Sequence, residues 1–363
     1  MTHSPALTRR QAAKLSLAAL FAPAAAFAQP KLSMAEALDL AYRSGALTAL
    51  HGIEVRQGDR TLLQSYFEGH DQRWGQPLGL RRFDASQLHD LRSVSKSITS
   101  LVYGIALDRG LVPPPEAPLL SAFPDHADLA EDATRAQWTV GHALNMTLGT
   151  AWNEALPYTD PNNSEIQMET APDRIRFILD RPIAAEPGLR WSYNGGCTAL
   201  IGEIIARGTG QPLDAFARAA LFAPLGITKS DWVQGRDGRA SAASGLRLTL
   251  PDLTTIGQMI LQNGEWNGVQ VVSESWLRRC RSSQTSTAFG TGYSNFWYLS
   301  QQFAATSSTP VPLLHASGNG GQRLYVLPKQ NVSIGIFAGA YNRRDDWMTP
   351  TVILQRLILP HLV

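Results

Sequence analysis

The chain is poor in cysteine: Cys197 and Cys280 are the only two in 363 residues. One pair cannot make a disulfide framework. An oxidising compartment would permit a bond between them, and two separate thiols fit equally well. Neither lies in a nucleophile motif, which disfavours cysteine catalysis. The eight histidines form no H-E-x-x-H or H-x-H-x-D cluster, which disfavours zinc. His142, in the helical pattern TVGHALNM, reads as a structural histidine. There is no G-x-S-x-G, so an α/β-hydrolase elbow has no support. Internal repeats, heptads, charge runs and low-complexity tracts are also missing, leaving the composition of a globular protein.

An excess of positive charge is missing too, once the N-terminus is set apart. The whole chain carries 32 basic and 30 acidic residues. Residues 1–28 hold Arg9, Arg10 and Lys14 and no acid, so the remainder has 29 basic residues against 30 acidic ones, a formal charge of −1. Nucleic-acid binding gains nothing from this balance. The same 28 residues have a basic start, an apolar run and the small-residue end Ala26-Phe27-Ala28. Thr8-Arg9-Arg10 fits a twin-arginine export signal, with cleavage expected after Ala28. Leu15 to Phe27 is too short and alanine-rich to span a bilayer stably. The expected course is passage through the twin-arginine machinery to the periplasm, with no membrane anchor left after cleavage.

Residues 34–46, MAEALDLAYRSGA, predict a helix capped by Ser33. The alternation around Gln57-Gly58-Asp59 predicts a β-hairpin. A second helix starts at Ser93, with Val94, Ile98, Leu101, Val102 and Ile105 as its apolar stripe and Gly110 as its stop. Residues 119–240 carry mostly helical patterns, and helices are expected over 251–263 and 273–281. NFWYLSQQF, QRLYVLP and VSIGIFAG read as strands, followed by an apolar helix from Trp347 to Leu359. Strands at both ends with helices between them suit a helical insertion in a sheet domain.

The chemistry sits in LRSVSKSITS, residues 91–100. Three residues on a helix turn about 300° and rise about 4.5 Å, so Ser93 and Lys96 share a face. A serine hydroxyl needs a base to take its proton, and a neutral amine can serve. An ordinary lysine is charged, with a pKa near ~10.4, so the base role calls for a depressed value. Desolvation against the apolar stripe would supply it. The helix start also offers the Ser93 N–H to a developing oxyanion.

Two further stretches go with SVSK: WSYNGG, around Tyr193, and HASGNGG, around Ser317. In this order the three resemble the motifs of the serine β-lactamase and penicillin-binding-protein superfamily. Its class C β-lactamase-like branch, with 6-aminohexanoate-dimer hydrolases and related esterases, is the most similar. LNMTLGTAW, LFAPLGI and SGLRLTLPDLTTIG resemble segments of that branch, and the likeness runs from about 35 to 360. The resemblance implies an α/β (α+β) fold: an antiparallel five-stranded sheet, flanked by terminal helices, with a mostly helical domain inserted. The sheet domain would take residues 29–92 and 241–363, the helical domain 93–240, with the site between them.

It also implies roles. Ser93 would be the acylated nucleophile, Lys96 its base, and Tyr193 the proton shuttle. The N–H groups of Ser93 and Asn319 would form the oxyanion hole. Asn194, His315, Ser317 and Gly318 would contact substrate, and Trp152, Trp191 and Trp297 would line a groove. Two departures stand out. Asn194 follows Tyr193 directly, where the family asparagine comes two residues on, and Ala316 replaces the lysine of K-T-G. Losing that positive charge argues against efficient β-lactam hydrolysis and leaves Lys96 and Tyr193 with higher pKa values. The expected activity is hydrolysis of small esters or amides, linear amide oligomers included, through an acyl-serine and without metal or cofactor. The alternatives are a D-alanyl-D-alanine peptidase or β-lactamase of the same superfamily, and a degenerate binder of peptidoglycan or of a protein partner.

Overall fold

The computed structural model describes residues 32–363. The expected signal, 1–28, lies outside them. The expected first helix is α1, Met34–Arg43, and Ser33 caps it in a reciprocal capping box with Glu36. The hairpin around Gly58 joins β1, Leu50–Gln57, to β2, Arg60–Tyr66.

The remaining strands of the main sheet are β3, Thr285–Ser286; β4, Gly292–Ser294; β5, Trp297–Phe303; β6, Pro310–Gly318; β7, Gln322–Leu327; and β8, Val332–Ala338. They pair antiparallel in the order β3-β4-β5-β6-β7-β8-β1-β2. The sheet is thus antiparallel, as expected, but has eight strands instead of five. β6 escapes the sequence pattern because PVPLLHASG opens with prolines and ends in small residues. A polar hairpin, Glu68–Arg73 with Gln76–Arg82, was also not expected. It has no apolar alternation because it lies mostly exposed.

One core buries Ile53, Val55, Val332, Ile334 and Ile336 against Leu38 of α1 and Leu354 and Ile358 of the C-terminal helical run. The other core joins the sheet residues Leu314, Ala316, Leu324 and Val326 to the helices of the chain's middle. Its centre is α2, Val94–Asp108. The sequence suggests one apolar stripe on this helix, yet 13 of its 15 residues are buried, so it is enclosed on all sides. Its polar residues therefore bond inward. Ser97 donates to the Phe296 carbonyl at 2.6 Å, Thr99 donates to the Ala242 carbonyl at 3.1 Å, and Ser95 accepts from the Leu246 N–H at 3.2 Å. Cys197 and Cys280 are buried free thiols.

A histidine pair sits where β1 meets the short strand His89–Asp90. His89 Nδ1 lies 3.1 Å from the Asp90 carbonyl, which can only accept, so this nitrogen carries the proton. His89 Nε2 is then the acceptor for His51 Nδ1–H at 2.9 Å. Phe83 stacks on His51, and Phe337 on His89. Burial, and then His70, hold His51 down to about 4, and burial and His51 hold His89 well below the ordinary value of 6.5. Both are neutral when folded, while the unfolded chain takes up protons below pH 6.5. The contribution of the pair to stability is therefore constant above 6.5 and falls as the pH drops toward 4. His51 alone accounts for about 3 kcal/mol of that loss. Denaturant unfolding of the parent and of His51→Gln at a series of pH values isolates it: the advantage of the parent should shrink by about 3 kcal/mol between pH 6.5 and 4, and an advantage that does not change would contradict the account.

Candidate active site

Ser93 stands at the N-terminal end of α2, which brings Lys96 onto the same face. Lys96 Nζ donates to Ser93 Oγ at 3.1 Å and to the Ala243 carbonyl at 3.0 Å. It also lies 4.9 Å from the centre of the Tyr193 ring, and the phenol and the ammonium act on each other electrostatically. Tyr193 comes just before α3, Gly195–Thr209, which packs against α2. The sequence expectation that Ser93, Lys96 and Tyr193 meet in space therefore corresponds to an arrangement with short distances.

The backbone before Ser93 is bent into place. Arg92 has a φ of +49°, in the left-handed region that non-glycine residues rarely occupy. Its guanidinium is tied to Asp90, 3.3 Å away, and lies over the Tyr341 ring at 5.0 Å. Across from it, β6 ends at Gly318. A Cβ there would collide with the Leu91 carbonyl and lie 3.2 Å from Arg92 Cβ, so only glycine lets the strand end reach the helix start. Asn319 follows in the turn. A cavity of about 170 Å³ lies here, lined among others by Ser93, Arg92, Trp74, Asn319, Asn342 and Glu165. A larger groove, of about 460 Å³, runs beside Arg174 and Asp237 but contains none of these three groups. Among the described residues, neither the Ser93 N–H nor the Asn319 N–H has an intramolecular acceptor.

The charge on Lys96 differs from the sequence expectation. Burial works to lower its pKa, as foreseen. Against burial stand Tyr193 and two carboxyl groups, Glu165 and Glu154, which together hold the ammonium above its ordinary value. Glu165 Oε2 is 3.9 Å from Lys96 Nζ. At an effective dielectric near 20 that contact is worth about 4 kcal/mol, or about three pKa units, enough to offset a desolvation shift of similar size. Lys96 is therefore protonated in the resting site. Burial also raises Tyr193, with Lys96 opposing it.

Other expected contacts are engaged within the chain. The Asn194 Oδ1 caps α3 by accepting from the Cys197 N–H at 3.2 Å, and its Nδ2 donates to Thr150 Oγ1. His315 and Ser317 do not line the cavity. They face each other at 3.2 Å, and the His315 ring lies between Tyr298 and Tyr325. Burial and then Arg323 push His315 down to about 3, so it is neutral and lends no positive field. Ala316 is fully buried in the core, so this position offers no space for the family lysine. Trp297 is also wholly buried, while Trp152 and Trp191 are half-buried, the latter beside Tyr193.

The profile of the beta-lactamase family matches residues 51–354. The chain belongs to that family. It is 25% identical over 267 residues to a 6-aminohexanoate-dimer hydrolase of Paenarthrobacter ureafaciens, covering 68% of this chain and 65% of that protein. It is 26% identical over 228 residues to the esterase EstB of Burkholderia gladioli, covering 59% and 55% respectively. The chain thus spans less than two thirds of the length of these curated relatives. The octameric penicillin-binding protein homologue of Pyrococcus abyssi shares the fold, with a TM-score of 0.66 at 17% identity over 88% of this chain and 76% of that one. By name, the two curated relatives are a hydrolase and an esterase.

Within this family frame, Glu154, Glu165 and Ser244 are the neighbours that the motifs did not reveal. Their place follows from the fold alone, since no short spacing links them to Ser93. The Gly318 contact gives a direct test. Gly318→Ala should move the strand end away from Leu91, lower stability by about 1–3 kcal/mol, and cut Ser93-dependent ester turnover at least about tenfold. Paired unfolding and kinetic measurements check this, and a fully active, equally stable variant would contradict the close approach.

Proposed function

We propose that the protein is a serine hydrolase that cleaves small esters or amides through an acyl-Ser93 intermediate. The observation that carries the reading is the 3.1 Å contact of Lys96 Nζ with Ser93 Oγ at a helix start, with Tyr193 beside both. Two free backbone N–H groups at the same cavity add to it.

In the reaction Ser93 Oγ attacks the substrate carbonyl, and its proton passes to Lys96, directly or through Tyr193. The N–H groups of Ser93 and Asn319 receive the oxyanion, helped by the positive end of α2. Tyr193 returns the proton to the departing alcohol or amine. Water then attacks the acyl-serine along the same proton path and frees the acid. Substrates fit the small cavity best when the acyl group is short. The buried Ala316, in the place of a carboxylate-binding lysine, favours neutral esters and amides over β-lactams. The names of the hydrolase and esterase relatives support the same choice. The reading includes export by the twin-arginine pathway to the periplasm, which rests on Thr8-Arg9-Arg10 and the Ala-Phe-Ala end.

Ser93→Ala should abolish both p-nitrophenyl ester turnover and labelling by a fluorophosphonate probe. Labelling that persists at another serine would remove Ser93 from its role. Nitrocefin should be turned over poorly or not at all. Because Lys96 must lose its proton before acting, kcat/KM should rise through neutral pH to about 9 or beyond. A flat profile would separate Lys96 from the base role. Changing Arg9 and Arg10 to lysine should leave the precursor in the cytoplasm, and cell fractionation would reveal normal export if the signal were of another kind.

A further inference from the structure

Two carboxyl groups stand behind Lys96, and the acyl-transfer steps use neither. Glu165 is buried on the helix Ser164–Thr170, with Oε2 3.9 Å from Lys96 Nζ and Oε1 accepting from the Ser244 hydroxyl at 2.8 Å. Glu154 reaches the same place from a loop. Its Oε2 accepts from the Gly195 N–H and, at 2.6 Å, from the Trp152 indole, while its Oε1 accepts from Tyr158 at 3.2 Å. The two carboxyls meet at Gly195. A Cβ on that residue would lie 3.0 Å from Glu165 Oε2 and 3.2 Å from Glu154 Oε2, and Glu165 Oε2 is buried without a hydrogen-bond donor among the described residues.

Two touching carboxyls in a poorly solvated space share one proton, because both cannot ionise cheaply. Glu154 keeps it. Burial and the Glu165 charge push it up to about 8, whereas Lys96, Glu154 and the hydrogen bond from Ser244 outweigh burial and hold Glu165 below its ordinary value. The other groups facing the pair are Tyr193, Tyr158, Tyr293, Tyr298, Cys197, Arg92 and Glu169. Glu169 is set apart by its own ion pair with Arg174 at 2.8 Å. The resting site thus holds a protonated Lys96, an ionised Glu165 and a neutral Glu154.

We propose that Glu165, with Glu154 holding the shared proton, is a positioning residue that keeps Lys96 protonated and so sets the pH at which Ser93 becomes reactive. This rests on the serine-hydrolase reading. With neither carboxyl able to ionise, burial acts on Lys96 opposed only by Tyr193, and the amine loses its proton at lower pH. Glu165→Gln alone lets Glu154 ionise in its place, so the double change Glu154→Gln/Glu165→Gln has the larger effect.

The test is kcat/KM against pH, from about 5 to about 10, on a neutral ester, with fluorophosphonate labelling of Ser93 as a parallel readout. The acidic limb should move down in Glu165→Gln and further in the double variant, by about one unit or more, a gain of about tenfold in relative rate near pH 6. If the double variant does not fold, Glu154→Gln still decides. Its rate should level off at lower pH, because the second carboxylate charge no longer forms above about pH 8. Profiles that superimpose on the parent, with Ser93 still labelled, overturn the proposal. Loss of labelling dependence on Ser93 would instead overturn the hydrolase reading beneath it.

Discussion

A cation held almost out of water is the constraint around which this molecule is arranged. Lys96 is 2% exposed in the first turn of an enclosed helix. Left alone there, its charge would be lost, since burial favours the neutral amine. Its surroundings answer with a hydroxyl, a carbonyl, a phenol and a carboxylate pair. The segment 241–246 is fastened accordingly. Ala242 and Ala243 offer carbonyls to Thr99 and Lys96, and Leu246 donates to Ser95. Ser241 and Ser244 turn the other way and donate to Glu169 and Glu165. The density of serine in LRSVSKSITS follows from this. One serine faces the cavity, and two others, Ser95 and Ser97, tie an all-round buried helix to Leu246 and Phe296.

The second determinant is steric. The strand end that carries Asn319 can reach Ser93 only because Gly318 has no side chain, and because Arg92 accepts a strained φ of +49°. These two residues sit on separate elements, the end of β6 and the entry to α2, and each would be unremarkable without the other. Together they bring two backbone amides to one cavity. No side chain needs to be aimed for this.

Much of this was legible in the sequence. The spacing of Ser93 and Lys96 implied a shared helix face, and Tyr193 before an apolar helix belonged with them. The Gly58 hairpin, the strands β5, β7 and β8 and the helical middle also followed from periodicity. What escaped notice has physical reasons. Glu154 and Glu165 lie 58 and 69 positions beyond Lys96, in a loop and a short helix without a diagnostic pattern. They invert the expected charge state of the lysine, because apolar neighbours in sequence say nothing of carboxyls brought in by the fold. Asn194 looked like a ligand because it follows the tyrosine, yet asparagine is also among the preferred helix caps, and here it is one. The hairpin over 68–82 is half exposed and polar, so it carries no alternation to read.

The pairing of β1 with β8 runs from Leu50↔Ala338 to Gln57↔Val332, so the sheet is closed by segments almost three hundred residues apart. Such a contact is formed only after a large loop has been closed, which slows folding far more than it affects final stability. During synthesis, the β1–β2 hairpin therefore emerges with one edge unpaired, and it remains so until nearly all of the described chain has been made. An open edge with Ile53 and Val55 beside it is a template for unwanted strands. Assembly of this protein is thus most exposed to aggregation early, at the ribosome, and a chaperone that shields residues 50–66 would protect the step on which the whole sheet waits.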